Sequence, residues 1–389
     1  MQHLNSPVRR IHTVIFPVFS IVVFSIFSSL LPNLASAQGV TADTILLGQS
    51  TALTGPSAQQ GVEFKAGADA YFNSVNEAGG IGGRKIKLTS LDDGNEPANA
   101  KANVQKLVVD DGVLAVFGMS GAHTVAVALP LIEKHKVVLF APATGDQYIR
   151  DPVNRYVFNI RAGYFEELEQ IVATLTRRGL NKIAVFYQSD ASGRAGLAAV
   201  ETTMRARKLT TLVYGSVNRH ATNVTSAAQT IAKSGAQAVI IAASAVSAAP
   251  FIAEMKKLGS NASFALVSST GATTLAKLLG DDSRGVEVAQ VVPLPYADGQ
   301  PLGRDYVKHM GGIDKVSFSS LEGYIAARVL VEGIRKAGKA LNRESLIDAL
   351  EKMGPLDLRG YRVAFTPTNH NGSNFVNLTI IGKGGVYKN

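Results

Sequence analysis

The sequence predicts an α/β fold of two doubly wound parallel-sheet lobes joined by a three-crossover hinge. Three observations carry that prediction. From Thr44 onward, short apolar runs alternate with longer amphipathic segments, the rhythm of βαβ units that build a parallel sheet. The series runs through twice, with a change of unit near Arg161. Beyond Pro293-Leu294-Pro295 long helical patterns follow that have no sheet of their own and must pack back on the first lobe. With 389 residues and 46% apolar content, the chain is also longer than one hydrophobic core usually serves.

The elements follow in order. Ile45 to Gly48 reads as a strand, and the loop Ser50 to Gly61 holds Thr54-Gly55-Pro56, which breaks regular structure. A helix from Val62 to Ala78 stops at Gly79-Gly80. Lys85 to Leu91 is a strand, Pro97 to Asp110 a helix, Ala115 to Phe117 a strand, Thr124 to His135 a helix and Val137 to Phe140 a strand. The second series reads helix Phe165 to Arg178, strand Ile183 to Tyr187, helix Arg194 to Arg207 and strand Thr211 to Tyr214. It continues with helix Asn223 to Ser234, strand Ala238 to Ala242, helix Ala248 to Leu258 and strand Phe264 to Ser268. Helices at Leu302 to Met310, Ser319 to Ala337 and Arg343 to Met353 precede hairpin-like strands from Tyr361 onward. The crossings fall near Arg161, Val292 and Thr366. They make the first lobe residues 38–161 and 294–366, and the second lobe 162–293 and 367–389.

Residues 1–37 read as a secretion signal. Arg9 and Arg10 precede an apolar stretch from Thr13 to Leu31, and Ala35-Ser36-Ala37 supplies the small residues of a signal-peptidase site, so cleavage is expected before Gln38. A retained membrane anchor is the rival reading, opposed by Pro17, Pro32 and the cleavage pattern. The sequence has no cysteine, which excludes disulfides, thiolate sites, thiol nucleophiles and the cysteine-borne lipid anchor of exported bacterial proteins. The formal charge of +9 comes from scattered Lys and Arg without a basic run or aromatic platform, so no nucleic-acid partner is expected.

In open parallel sheets, ligands bind beyond the carboxyl ends of the strands, where helix N-termini gather. Gly118 to Thr124 runs there from strand to helix. It reads either as an anion-binding turn or as a plain glycine turn with Thr124 as helix cap. Gly118-x-Ser120 also matches part of the nucleophile elbow G-x-S-x-G, but Ala122 replaces its last glycine, and His309 or His370 would have to complete a triad. Gly80-x-Gly82 follows a helix and is a turn, no P-loop is present, and the scattered histidines form no metal pattern. No cofactor and no metal are expected. Tyr164, Asp190, Ser192, Ser244 and Thr270 lie after the first crossing or after strands of the second lobe, each either touching ligand or packing and capping locally.

Leu53-Thr54-Gly55-Pro56, Asn76-Glu77-Ala78-Gly79-Gly80-Ile81-Gly82-Gly83-Arg84-Lys85, Leu91-Asp92-Asp93-Gly94-Asn95-Glu96-Pro97, Ala141-Pro142-Ala143-Thr144-Gly145 and Ile183-Ala184-Val185-Phe186-Tyr187 occur in this order. Through them the chain resembles the periplasmic solute-binding proteins of branched-chain amino-acid ABC importers, the leucine/isoleucine/valine-binding family. The resemblance implies the type I periplasmic binding fold, a periplasmic location, no enzymatic activity, and delivery of a small polar ligand (amino acid, amide or small organic acid) to the membrane subunits of an ABC importer. It implies one carboxylate-binding loop at Ser120, Ala122, His123 and Thr124 and another at Ala143, Thr144 and Gly145. In the second lobe, Ser192 stands where the family often has an aromatic residue, and Thr270 stands near its acidic residue. Either Asp190 or Asp146 then supplies the charge that meets an ammonium group, or the ligand has no ammonium group. The alternatives are a sensory receptor of the same fold and a serine hydrolase using Ser120.

Overall fold

The computed structural model describes Pro7, residues 38–296 and residues 301–388; the leader and its cleavage site lie outside these residues. The first lobe runs β1 (Thr44–Thr51), α1 (Ala58–Glu77), β2 (Lys85–Asp92), α2 (Pro97–Gln105), β3 (Ala115–Phe117), α3 (Ala122–Lys134), β4 (Val138–Phe140) and β5 (Val157–Phe158). The strands pair in the order β2-β1-β3-β4-β5, all parallel. Ala115-Val116-Phe117 and Val138-Leu139-Phe140 are buried throughout, as expected of central strands covered by helices on both faces.

The second lobe runs α4 (Tyr164–Arg177), β6 (Ile183–Gln188), α5 (Ala191–Ala206), β7 (Tyr214–Val217), α6 (Thr225–Lys233) and β8 (Ala238–Ala242). It continues through α7 (Ala245–Lys257), β9 (Ser263–Leu266), α8 (Ala272–Leu279) and β10 (Glu287–Gln290). The chain returns to the first lobe as α9 (Pro301–Met310), α10 (Phe318–Ala337) and α11 (Arg343–Glu351), with the small pair β11 (Leu356–Asp357) and β12 (Arg362–Val363). It then closes the second sheet with β13 (Asn377–Ile381) and β14 (Tyr387–Lys388), both in antiparallel pairs. That sheet has the order β14-β13-β10-β9-β8-β6-β7. Three passes between the lobes result, between β5 and α4, β10 and α9, and β12 and β13.

Each sheet is sandwiched between two apolar layers. Phe117 and Phe140 stack at 6.4 Å in one lobe, and Phe186 and Phe251 at 3.9 Å in the other. The return of α10 depends on glycine. A Cβ on Gly67 of α1 would sit 1.7 Å from the Ser320 carbonyl oxygen, and one on Gly323 would sit 1.9 Å from that of Phe64. These two helices therefore touch backbone to backbone.

The sequence reading needs three corrections. The second helix ends at Gln105 and widens into a π turn over Lys106–Asp110. The strand expected at Thr211 to Tyr214 is displaced to Tyr214–Val217, because Gly215 is the residue small enough to back onto Ala227 and Ile231 of α6. Strand β5, helix α8 and strand β10 were not foreseen; β10 carries Glu287 and Gln290, polar residues buried in the sheet.

Candidate ligand-binding cleft

In both sheets the strand order reverses beside the first strand of the lobe, at β2-β1-β3 and at β7-β6-β8. Such reversals open a crevice at the carboxyl ends of the strands. The two crevices face each other: Thr51, Gly118 and Ser120 from one lobe and Gln188, Asp190 and Ser244 from the other line one cavity of about 140 Å³. That is smaller than the several hundred Å³ typical for drug-sized ligands and suits a small solute.

The first-lobe wall is built on glycine. Gly118 leaves β3 at φ +63°, where a Cβ would press to 2.4 Å from the Phe64 ring, and Gly121 caps α3 at φ +89°. Ser120 Oγ accepts from Thr51 Oγ1 at 3.0 Å. No side chain caps α3, so its first-turn N–H groups are open to an anion. Ser120, His123 and Ala143 line the cleft. Ala122, Thr124, Thr144 and Gly145 do not. The Thr124 hydroxyl turns back to donate to the carbonyls of Ser120 and Gly121, Thr144 Oγ1 accepts from the Asp146 N–H at 3.3 Å, and Gly145 backs against Tyr164.

On the second wall, Tyr164 opens α4 and its hydroxyl donates to Ser269 Oγ at 3.1 Å. Asp190 caps α5, accepting from the Gly193 N–H at 2.8 Å and from Gln188 Nε2 at 3.2 Å. Ser192, Ser244 and Thr270 all line the cavity. Asp146 does not; its carboxylate caps a short turn at Tyr148, and burial raises its pKa.

The lobes meet across the mouth. His123 Nδ1 lies 3.2 Å from Ser192 Oγ, its Nε2 lies 2.9 Å from the Asn95 carbonyl, and Arg219 pairs with Glu96 at 3.2 Å while donating to the same carbonyl. At the base, the Arg161 guanidinium joins Glu167 of α4 at 3.1 Å, Glu322 of α10 at 3.4 Å and the hydroxyl of Ser268. Burial raises the pKa of both carboxylates, and the Arg161 charge opposes that rise. Reading strand ends does not reveal this hub, because Glu167 and Glu322 lie inside helices. Only the excess of buried carboxylate in otherwise apolar helix faces hints at it.

The hydrolase geometry is missing. No histidine bonds Ser120 among the described residues: His123 engages Ser192 and Asn95, His309 meets the Tyr324 hydroxyl, and His370 meets Glu351. The described residues hold no cluster able to bind a metal ion, and none of their helices is long and apolar enough to cross a membrane.

A two-lobed cleft of this topology defines a solute receptor, and the comparisons agree. The sequence pattern of the periplasmic binding proteins matches residues 44–385, and the chain belongs to that family. A possible leucine/isoleucine/valine-binding protein from Rhodopirellula baltica is 30% identical with a TM-score of 0.85, covering 91% of this chain and 98% of that one. A substrate-binding periplasmic protein from Ralstonia solanacearum is 30% identical with a TM-score of 0.82, covering 88% and 99%. The leucine-, isoleucine-, valine-, threonine- and alanine-binding protein of Pseudomonas aeruginosa is 26% identical over 321 residues, 81% of this chain and 84% of that one. Ligand binding is therefore the role of this chain.

Proposed function

We propose that the protein is exported to the periplasm with cleavage before Gln38, captures a small polar solute between its lobes, and hands it without chemical change to the membrane subunits of an ABC importer. The lobes are residues 38–161 with 294–366, and 162–293 with 367–389. The observation that carries this reading is the cavity itself: it lies between two facing strand-order reversals, is walled by side chains of both lobes, and is bridged at its mouth by contacts between the lobes. The amino acids in the name of the Pseudomonas aeruginosa relative support a small polar solute.

A thermal-shift screen of the refolded, ligand-stripped protein against amino acids, amides, aromatic acids and dicarboxylates tests it. A solute at about 100 times its Kd stabilises the protein by about 2.7 kcal/mol. The same solute should compact the molecule in X-ray scattering, since it shifts the open–closed balance only by its preference for one state. No shift from any class, or tight binding with an unchanged scattering profile, defeats the proposal.

A further inference from the structure

Resting on that reading, we infer that the natural ligand is a small acid that offers hydrogen-bond acceptors to both walls and carries no ammonium group, such as a dicarboxylate or an oxo acid. The grounds are the polar atoms the chain leaves unmatched in its own cleft. Arg161, Arg219, His220, Ser244 and Thr270 are among the residues that line the cavity, and in each a polar atom (Arg161 Nε, Arg219 Nε, His220 Nδ1, Ser244 Oγ, Thr270 Oγ1) is buried behind that lining with no partner within the chain. The two arginine nitrogens are obligate donors, and the hydroxyls and imidazole nitrogen act in either sense. None of these unmatched cleft atoms is an obligate acceptor. Buried polar groups are normally satisfied, and a ligand bearing acceptors would satisfy all five.

The backbone points the same way. Ser244 occupies the N-cap position of α7, yet its side chain caps nothing, and Gly271 opens α8 without a side-chain cap. Thr270, 3% exposed, directly precedes Gly271. The second wall therefore offers two uncapped helix starts with a free hydroxyl beside each, a setting that favours negative charge. The first wall offers the uncapped start of α3. The two acids of the cleft, Asp190 and Glu322, are already engaged: Asp190 by Gly193 and Gln188, Glu322 by Arg161. An ammonium group brought into this cleft would be desolvated against donors.

The test is calorimetric titration of the refolded, ligand-stripped protein with two matched pairs: glutarate against glutamate, and 4-methyl-2-oxopentanoate against leucine. We expect at least one acid to bind ten or more times tighter than its amino counterpart. Thr270→Val and Ser244→Ala should each weaken that acid by roughly 10–100-fold, the range for a hydrogen bond to a charged group, with unchanged melting of the free protein. Thr270→Asp should turn the preference toward the amino member of the pair. Glutamate or leucine binding tighter than its acid, with the binding lost in Glu322→Gln, overturns the inference but leaves solute capture standing. Failure of all four probes also overturns it, and solute capture itself falls only if the wider thermal-shift panel fails too.

Discussion

His220 sits on the second wall within electrostatic reach of Arg219, Asp190, Glu96 and His123, and burial followed by the Arg219 charge lowers its pKa below the ordinary histidine value. Because the unfolded chain takes up this proton first, the group's contribution to stability is complete above the ordinary histidine value. It is lost as the pH falls through that value toward the depressed one. The carboxylates of Glu167 and Glu322, raised by burial, act in the opposite sense, so the parent profile alone is a sum. The difference in denaturation stability between parent and His220→Asn isolates the histidine: parent relative to variant should lose ground between about pH 7.5 and pH 5. A flat difference rules this out. Single residues of this kind were half legible in the sequence. Asp190 and Thr124 were open between site and cap, and only their hydrogen-bond geometry shows that Asp190 caps α5 while facing the cleft, whereas Thr124 caps nothing and turns back onto the carbonyls of Ser120 and Gly121.

Helices α1 and α10 make the tightest pairing between elements. Gly67 and Gly323 bring the two backbones together without intervening side chains, and Tyr71, one turn beyond Gly67, meets Tyr324, the residue next to Gly323, edge to face at 5.1 Å. Gly67→Ala places a methyl group where the Ser320 carbonyl stands, so the helices must separate, at a cost of about 1–3 kcal/mol. Gly323→Ala should cost a similar amount. The double variant should cost less than the sum, since both substitutions force the same separation; strict additivity in urea melts would argue against a shared crossing. The two helices were visible in the sequence as long amphipathic patterns. Their mutual approach was not, because nothing in a single sequence distinguishes a glycine that admits a neighbour from one that merely interrupts a helix.

For the molecule as a whole, Arg161 is the residue through which the lobes hold each other. It lies at the first pass between lobes and binds a carboxylate from each, Glu167 in the second and Glu322 in the first. Arg161→Ala leaves two buried carboxylates facing each other, and the cost should be about 3–5 kcal/mol in chemical denaturation, larger at pH 8 than at pH 5, where protonation relieves the raised-pKa carboxylates. A loss below about 1 kcal/mol would show the hub to be incidental, since that is the range of exposed pairs.

Alternating apolar runs and glycine stops determined the two series of βαβ units and their order, because period and chain punctuation are local properties that survive in one dimension. They determined as well that the loops at the carboxyl ends of the strands were the place to search. The tertiary structure alone decided which of those loop residues face the cavity. It turned Thr124 and Thr144 inward and brought Ser244, Thr270 and Arg219 to the second wall. It also drew Glu322, from a helix 161 residues beyond Arg161, into the hinge. The physical reason is that a polar atom's role depends on who satisfies it, and its partners in a doubly wound fold come from strands and helices far away in the chain.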